Sequence, residues 1–192
     1  EGMTQRQLSS YDYHEERGFW LHAMGVGNAS RVLAAAIPKS ELREEEAYVA
    51  GLLHDVGKLV IADFLDSPKG EKVSLMDEVS AVGLDHAELA ELILHQWNLP
   101  VSITQSVRFH HDYQSAGKHF GGAAVLALAH DICAVWGIGR LNPVDLSGEI
   151  SVENFEHLLQ DLGLPKSKWD QIIWEVRQNL VQLDSIFDPV FT

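Results

Sequence analysis

The sequence predicts an all-α protein, and three observations support this prediction. Apolar residues recur every three or four positions along most of the 192-residue chain, which is the period of a helix with one buried face. No two alternating segments are joined by a tight-turn dipeptide of the kind that closes a β-hairpin. No internal repeat is visible, and the length suits one well-buried domain.

The first predicted helix covers residues 16–37 and ends near Pro38, because proline has no N–H group to continue the hydrogen-bond ladder. The second runs from about Glu41 to Leu65 and contains "GLLHDVGK", in which three polar side chains interrupt an apolar stripe. Its predicted buried face consists of Val49, Leu52, Leu53, Val56, Leu59 and Val60.

After a polar stretch at residues 66–72, Asp85 and Glu88 have the spacing of a capping box, which predicts a helix from there to about Trp97. Pro100 suits the first turn of the next helix, which we expect to run to the double histidine of "PVSITQSVRFHH". The small residues of "GGAAVLALAHDICAVWGI" then predict a closely packed helix.

Two further helices are predicted near the end of the chain. Ser151 is a good N-cap for the first of them, and Pro165 is suited to the first turn of the second. The second has an apolar stripe that we expect to be core packing, made of Trp169, Ile172, Ile173, Val176, Leu180 and Leu183.

Composition limits the partners of this protein. With 14 basic and 28 acidic side chains the formal net charge is −14, which disfavours binding to nucleic acid. No apolar run reaches the roughly 20 residues that span a bilayer, and no signal peptide is visible, so no membrane association is expected. The single cysteine, Cys133, excludes an internal disulfide and is typical of a cytoplasmic protein.

The pair His54 and Asp55 carries the strongest chemical signal, because an unpaired carboxylate in an apolar helix would cost several kcal/mol. Lys58, on the same helical face, is one candidate partner for this carboxylate, and a bound metal ion is the other. Imidazole and carboxylate ligands together suit iron, manganese, zinc or nickel. The lack of cysteine pairs argues against a structural zinc site with thiolate ligands.

The segment "AYVAGLLHDVGKLVIADFL" resembles the signature helix of the HD superfamily of metal-dependent phosphohydrolases. That family has a leading histidine, a His-Asp pair and a distant aspartate. Here they are matched by His22 in "FWLHAMGV", by His54 and Asp55, and by Asp131 in "ALAHDICA". The resemblance implies that these four residues hold one metal ion.

Two further segments, "GLDHAELAELILHQWNLP" and "SVRFHHDYQ", resemble the extra histidines of the HD-GYP and HDOD branches. They imply that His86, His110 and His111 hold a second ion, with Asp55 bridging the two. The whole pattern looks most like an HDOD domain, the HD-related output domain of bacterial signalling proteins. This resemblance implies an HD-domain-like helical bundle.

The resemblance also suggests how the chain is organised. Residues 1–15 would be an N-terminal segment, expected to be the end of a further helical lobe. Residues 16–140 would form the metal-binding core, and residues 141–192 a C-terminal helical extension packed on that core. The chain as a whole is then expected to be a fragment of a longer HDOD protein or to lack that lobe.

Two departures from the related patterns narrow the expected chemistry. The chain reads "HHDYQSAGKHFGG" where HD-GYP enzymes continue into a glycine, tyrosine and proline motif, so hydrolysis of cyclic di-GMP is not expected. Gly18 stands where family members with a third metal have a glutamate, so at most two ions are expected. Iron or manganese are the foremost choices, with nickel, zinc or magnesium as alternatives.

Two functions from different classes follow from the resemblance. The first is a regulatory output module that acts on signalling protein partners. The second is a metal-dependent phosphohydrolase or phosphodiesterase for a nucleotide, cyclic dinucleotide or other phosphoester, with Asp55 and Lys58 as catalytic residues.

The remaining histidines are expected to take no part in either function. His95 should point away from the site because nine residues of helix separate it from His86. The other four are expected at the surface, and they are His14, His119, His130 and His157.

Overall fold

The computed structural model describes residues 15–65, 73–139, 146 and 150–187. Within these ranges the protein is helical and has no strand, which confirms the predicted all-α class. The α-helices are α1 (Glu15–Ala36), α2 (Glu44–Leu53), α3 (Val56–Ile61), α4 (Leu75–Val82), α5 (His86–Gln96), α6 (Val101–Arg108), α7 (Phe120–Val135), α8 (Glu156–Asp161) and α9 (Trp169–Phe187). Short 3₁₀ segments lie at Ala62–Phe64, Tyr113–His119, Val152–Phe155 and Lys166–Lys168.

Helix α1 is the centre of the bundle and packs against α2, α7 and α9. Its approach to α2 depends on glycine: a Cβ atom on Gly51 would lie only 2.6 Å from the Cα atom of Gly27. Helix α7 is enclosed by its neighbours, and every residue from Gly121 to Ala129 is buried. Because the residues of α7 are small, α1 and α6 pack close to it, and the site lies between these helices.

The predicted second helix is wrong in one respect that matters for the site. It breaks at His54 and Asp55, where Asp55 has φ −100° and ψ 7°, outside the α region. After the break, α3 passes close to the start of α5, and a Cβ atom on Gly57 would overlap the carbonyl oxygen of His86. The break turns the chain toward α5 and exposes both His54 and Asp55 to the same interior space.

The predicted buried face of this helix is also wrong. The residues predicted for this face are only partly buried or exposed, and Val60 is 44% exposed. Apart from Ile61, the buried side chains of residues 47–62 are small or polar, because α2 lies against α1 too closely for large side chains; they are Ala47, Ala50, Gly51, His54, Asp55, Gly57, Lys58 and Ala62.

Other predicted elements are confirmed with small shifts. The capping box of α5 is present, with Glu88 N–H donating to Asp85 Oδ1 at 2.7 Å and Asp85 N–H donating to Glu88 Oε2 at 3.1 Å. Pro100 immediately precedes α6, but α6 ends at Arg108, so the double histidine lies in a turn and not on a helix. Helix α4 was not predicted.

The apolar stripe of α9 is buried as predicted, and its residues join the same core cluster as α1 and α7. Trp169 at the start of α9 also donates from Nε1 to the carbonyl oxygen of Ile150 at 2.9 Å. The expected boundary at 140–141 and the segment 1–14 lie outside the described residues. In the part of the chain that is described, no helix is long and apolar enough to cross a membrane.

Candidate metal centre

Side chains from five parts of the bundle meet in one interior space. His22 comes from the middle of α1, His54 and Asp55 from the α2–α3 break, and His86 from the first position of α5. The rest are His110 and His111 from the turn after α6, and His130 from α7. Neighbouring imidazole rings have centroids 3.9 to 5.9 Å apart. A cluster of six histidines is therefore assembled from positions up to 108 residues apart in the sequence.

We call His22, His54 and His130 the first triad. Each offers one ring nitrogen, and these three atoms lie within 4.8 Å of one another. His22 and His54 have no solvent exposure, and the His130 side chain is 14% exposed. Three nitrogen donors at this separation are suitable for one metal ion.

We call His86, His110 and His111 the second triad, whose ring nitrogens also lie within 4.8 Å of one another. His86 and His110 are buried, whereas His111 is exposed. His111 Nε2 lies 3.0 Å from His86 Nε2. The second triad is therefore the part of the cluster that reaches the protein surface.

The carboxylate of Asp55 lies between the two triads. Its Oδ2 atom is 3.3 Å from His54 Nε2 in the first triad, and its Oδ1 atom is 3.3 Å from His86 Nε2 in the second. The Lys58 ammonium group lies 2.8 Å from Oδ2 and is itself buried. Asp55 thus presents one oxygen toward each triad, the arrangement expected of a bridging ligand.

Backbone carbonyl groups fix the orientation of three of the histidine rings. His54 Nδ1 lies 2.7 Å from the Gly51 oxygen, His110 Nδ1 lies 2.7 Å from the Val107 oxygen, and His22 Nδ1 lies 3.1 Å from the Ile138 oxygen. Because a carbonyl oxygen only accepts, each Nδ1 atom carries the proton and donates it. The lone pair then lies on Nε2, which is the nitrogen available to a metal ion.

Glu78 of α4, which the sequence did not single out, orients the fourth ring. Its carboxylate accepts from His86 Nδ1 at 2.8 Å and from the His86 backbone N–H at 2.7 Å, and it is only 1% exposed. This pairing of carboxylate and imidazole is common behind metal ligands, where it raises the basicity of the ring. No local pattern marks Glu78, because its partner lies in the next helix.

An ion pair joins the two helices that position the second triad. Arg108, two residues before His110, places Nη2 2.7 Å from Glu88 Oε1 on α5. His86 begins α5, so this contact ties the end of α6 to the first turn of the helix that carries His86. Both side chains remain partly exposed, so we assign the pair a positioning role and little stability.

The last ligand position differs from expectation. Asp131 has a 58% exposed side chain and places Oδ1 3.4 Å from His130 Nδ1, whereas His130, expected at the surface, enters the first triad. Successive residues on a helix point about 100° apart, so only one of the two can face the interior. The described geometry therefore brings together six of the seven expected ligands and adds His130 in place of Asp131.

The protonation states in this centre are those that bind cations. Burial lowers the pKa of His86 to about 3, with the charge of Lys58 acting in the same direction. His111 is exposed as a residue, but desolvation where its ring meets the cluster, followed by the neighbouring His86, lowers its pKa to about 3. Burial raises the pKa of Asp55, but the neighbouring His54 and the charge of Lys58 outweigh it and hold this pKa well below its usual range. The imidazoles of His86 and His111 are therefore neutral and the carboxylate of Asp55 is charged at neutral pH.

The remaining two pKa shifts have the same direction. Burial, followed by the neighbouring His111, holds the pKa of His110 well below its usual value. Burial also lowers the pKa of His130, and the hydrogen bond with Asp131 opposes this shift only in part. A neutral imidazole is the form that ligates a metal ion.

The donor set fits divalent transition metals. His110 Nε2 is buried without a hydrogen-bond partner among the described residues, although its ring lies beside those of His54 and His86. A buried polar atom of this kind carries a desolvation cost that an ion would remove. Nitrogen donors with one carboxylate favour iron, manganese, zinc or nickel over magnesium.

The other histidines lie outside these groups. His95 and His157 are exposed, as expected, and His119 is partly buried in the 3₁₀ segment after the double histidine. None of them belongs to a described cluster of metal-binding side chains. His14 lies outside the described residues.

Solved structures with the same fold come from several bacteria. A protein from Marinobacter aquaeolei VT8 with a provisional signal-transduction name superimposes with a TM-score of 0.65 at 18% identity, over 88% of this chain and 38% of that one. A Shewanella amazonensis SB2B protein with a provisional phosphohydrolase name gives a TM-score of 0.60 at 19% identity, over 87% of this chain and 60% of that one. A Geobacter sulfurreducens HDOD domain protein of unknown function gives a TM-score of 0.59 at 22% identity, over 92% of this chain and 67% of that one.

At the sequence level, an uncharacterized protein of Treponema pallidum (strain Nichols) is 28% identical over 126 residues, which are 60% of this chain and 24% of that protein. The chain thus spans about a quarter of this relative's length, and a little over a third of the Marinobacter protein's. A family model described as the HDOD domain matches residues 2–113. This match covers more than half of the 192 residues of the chain, and the chain therefore belongs to the HDOD domain family.

Proposed function

We propose that this HDOD domain is a regulatory module of bacterial signal transduction whose histidine cluster binds two divalent metal ions. The observation that carries the proposal is the position of Asp55 between the triads. Its Oδ2 atom lies 3.3 Å from a ring nitrogen of the first triad, and its Oδ1 atom lies 3.3 Å from a ring nitrogen of the second. The first triad and Asp55 would hold one ion, and the second triad and Asp55 the other. The bound ions would supply charge that stabilises the cluster and an open coordination position at the surface.

Two features of the cluster support binding of an ion over a network of hydrogen bonds. A network would use the ring nitrogens as alternating donors and acceptors, but His110 Nε2 is buried and has no such bond with any described residue. The Nδ1 protons of His22, His54 and His110 point outward to backbone carbonyl groups. The Nε2 lone pairs therefore converge on the interior, where one cation can satisfy several of them together.

A regulatory role is supported by the kind of protein that shares this fold. The Marinobacter relative carries a provisional signal-transduction name, and its chain is much longer than this one, as expected of a module within a larger protein. In such a role the metal ions hold α1, α2, α5 and α7 in one arrangement, so that metal occupancy sets the shape of the surface presented to a protein partner.

Elemental analysis of protein purified without chelators tests the metal proposal. We expect two divalent ions per chain, with iron or manganese as the foremost choices. Removal of the ions by a chelator should lower the thermal midpoint, because binding to the folded state alone adds stability. A chain that binds no metal and melts at the same temperature with and without chelator would contradict the proposal.

Phosphoester hydrolysis is the second candidate, and one observation favours it. His111 is exposed, so the second triad is open to solvent as a catalytic metal site must be, whereas structural sites are closed. The buried Lys58, 2.8 Å from Asp55, would hold this carboxylate in its charged form and orient it. Its positive charge would also favour an anionic phosphoester close to Asp55.

An assay with metal-loaded protein separates the two candidates. We expect at most slow cleavage of a generic phosphodiester, lost in His54→Ala and reduced in Lys58→Ala. We expect little cleavage of cyclic di-GMP, since the related glycine, tyrosine and proline motif is absent. Turnover of cyclic di-GMP on the order of 1 s⁻¹ or faster would favour an enzyme over a regulatory module.

A further inference from the structure

Helix α4 is attached to the rest of the domain in an unusual way. Among its residues, Leu75–Val82, only Glu78 is buried. Its apolar side chains are largely exposed, with Met76 71% exposed, Leu75 40% and Val79 38%. Within the described chain, none of its residues joins either apolar core cluster. Apolar burial therefore contributes little to holding α4 in place.

The contacts of Glu78 replace this missing apolar attachment. Its carboxylate accepts from the backbone N–H of His86 at 2.7 Å and from His86 Nδ1 at 2.8 and 3.0 Å. A buried carboxylate is costly unless it is hydrogen-bonded, so the two His86 donors stabilise this position of α4. The same bonds place Glu78 at the N-terminus of α5, where the helix dipole favours a negative charge.

Local sequence defines α4 as a helix without help from the core. Ser74 and Asp77 form a capping box at its start, with Ser74 N–H and Oγ both bonded to Asp77 Oδ2 at 2.8 and 2.7 Å. Gly83 ends it with φ +84°, a conformation that glycine adopts without strain. Helix α4 is thus defined by its own sequence, and Glu78 is its buried contact with the domain.

We propose that Glu78 is a positioning residue that couples the docking of α4 to metal binding at the second triad. This inference rests on the proposed metal-binding function. When an ion is bound at His86 Nε2, the opposite ring proton becomes a stronger donor to Glu78. In return, Glu78 makes Nε2 more basic and holds the ring in the orientation that the ion requires.

The coupling must be equal in both directions. Removal of an outer partner of a ligating histidine typically lowers metal affinity about 10–100-fold. If the docked form of α4 raises affinity for the second ion by this factor, the ion favours the docked form by the same factor. Binding of an ion at the second triad therefore favours the docked form of α4 and lowers the mobility of its exposed surface.

Hydrogen–deuterium exchange of the unmodified protein measures this coupling. We compare chelated protein with protein loaded with Mn²⁺ and follow the amides of α4, with α8 as an internal control remote from the site. We expect exchange in α4 to slow about 10–100-fold on loading, with no comparable change in α8. Binding of two Mn²⁺ ions without slower exchange in α4 would overturn the coupling while leaving the proposed function intact.

A matched pair of variants tests the role of Glu78 itself. In Glu78→Gln the second Mn²⁺ ion should bind about 10–100-fold more weakly, the first with unchanged affinity, and α4 should lose its metal-dependent protection. In Ser80→Ala, on the exposed side of the same helix, both ions should bind as in the wild type. Equal weakening of both ions in Glu78→Gln, together with a lower melting temperature of the chelated protein, would show a purely structural role and overturn the proposal. If the wild type binds no Mn²⁺ at all, the proposed function fails and the inference fails with it.

Discussion

The two histidine triads use the same kind of ligand but are held by different parts of the molecule. In the first triad, His22 and His54 have no exposure and donate to the carbonyl groups of Ile138, in the turn after α7, and Gly51, on α2. In the second, His86 is held by Glu78 from a helix outside both apolar clusters, and His111 is exposed. Because rigid, buried ligands are already positioned for an ion, we expect the first ion to be held firmly and the second to exchange more readily.

The largest effect is expected where the two triads meet. Since Asp55 faces both, Asp55→Asn should remove both ions and reduce the measured metal content from two per chain to none. Asparagine keeps the volume of the side chain but not the charge, so it also removes the ion pair between Asp55 and Lys58. Metal content is measured by elemental analysis after a folding check by circular dichroism.

Asp112→Asn is the matched control, since Asp112 is an exposed aspartate beside His111. It should keep both ions. Retention of two ions per chain in Asp55→Asn would show that this carboxylate does not bridge the triads.

The triads should separate when one histidine of each is removed. We expect His54→Ala to lose the first ion and His86→Ala the second, so that each variant retains about one ion per chain. Titration with Mn²⁺, followed by its paramagnetic resonance signal, reports both stoichiometry and affinity. Loss of both ions in each single variant would mean that the triads form one indivisible site.

Acidification should destabilise the metal-free protein through the histidine cluster. His86, His110 and His111 all have lowered pKa values, as does His130 in the first triad. In the metal-free protein these rings stay neutral while the unfolded chain takes up protons below about pH 6.5. The free energy of unfolding should therefore fall as the pH drops below about 6.5, by up to about 1.4 kcal/mol per pH unit for the buried His86, whose pKa is about 3.

Urea unfolding of chelated protein between pH 7 and pH 4.5 measures this loss. His111→Gln removes one of the titrating rings from a position where solvent already reaches it. Its stability should depend less steeply on pH than that of the wild type. A free energy of unfolding that stays constant over this interval would contradict the low pKa values of the cluster.

A smaller effect distinguishes the two neighbours on α7. His130→Ala should weaken binding of the first ion, because His130 lies in the first triad. Asp131 only contacts His130, so Asp131→Ala should lower the affinity for this ion by no more than about 10–100-fold, the effect of losing an outer partner of a ligand. Calorimetric titration of both variants with the same metal makes the comparison. A stronger loss in Asp131→Ala than in His130→Ala would return Asp131 to the ligand position that the sequence resemblance implied.

The smallest effect is expected at His95, which lies on the same helix as His86 but is exposed. His95→Ala should bind two ions with wild-type affinity, as measured by the same titration. Any clear loss of metal would place His95 in contact with the second triad and would require a different orientation of α5.

The elements that the sequence predicts well are those defined by local contacts. The capping box at Asp85 and Glu88 and the apolar stripe of α9 each involve residues within a few positions of one another. The break at Asp55 could not be predicted in this way, because apolar residues continue on both sides of it. It depends on the approach of α3 to α5 at Gly57, which only the folded chain shows.

The same distinction applies to the site. The resemblance supplied most of the cluster, but it could not decide between two adjacent polar residues on α7, since that choice depends on how the helix is rotated against α1 and α2. Glu78 was missed for a similar reason. Its carboxylate is buried by a contact between two helices, and a glutamate in a short amphipathic segment is usually solvated.

The central claim is that two metal ions lie on either side of Asp55, and anomalous diffraction from crystals grown with Mn²⁺ tests it most directly. The predicted result is two anomalous peaks per chain, one among the ring nitrogens of His22, His54 and His130 and one among those of His86, His110 and His111, with a carboxylate oxygen of Asp55 bonded to each. A map with no peak in this cluster, or with manganese bound only at surface carboxylates, would contradict the account.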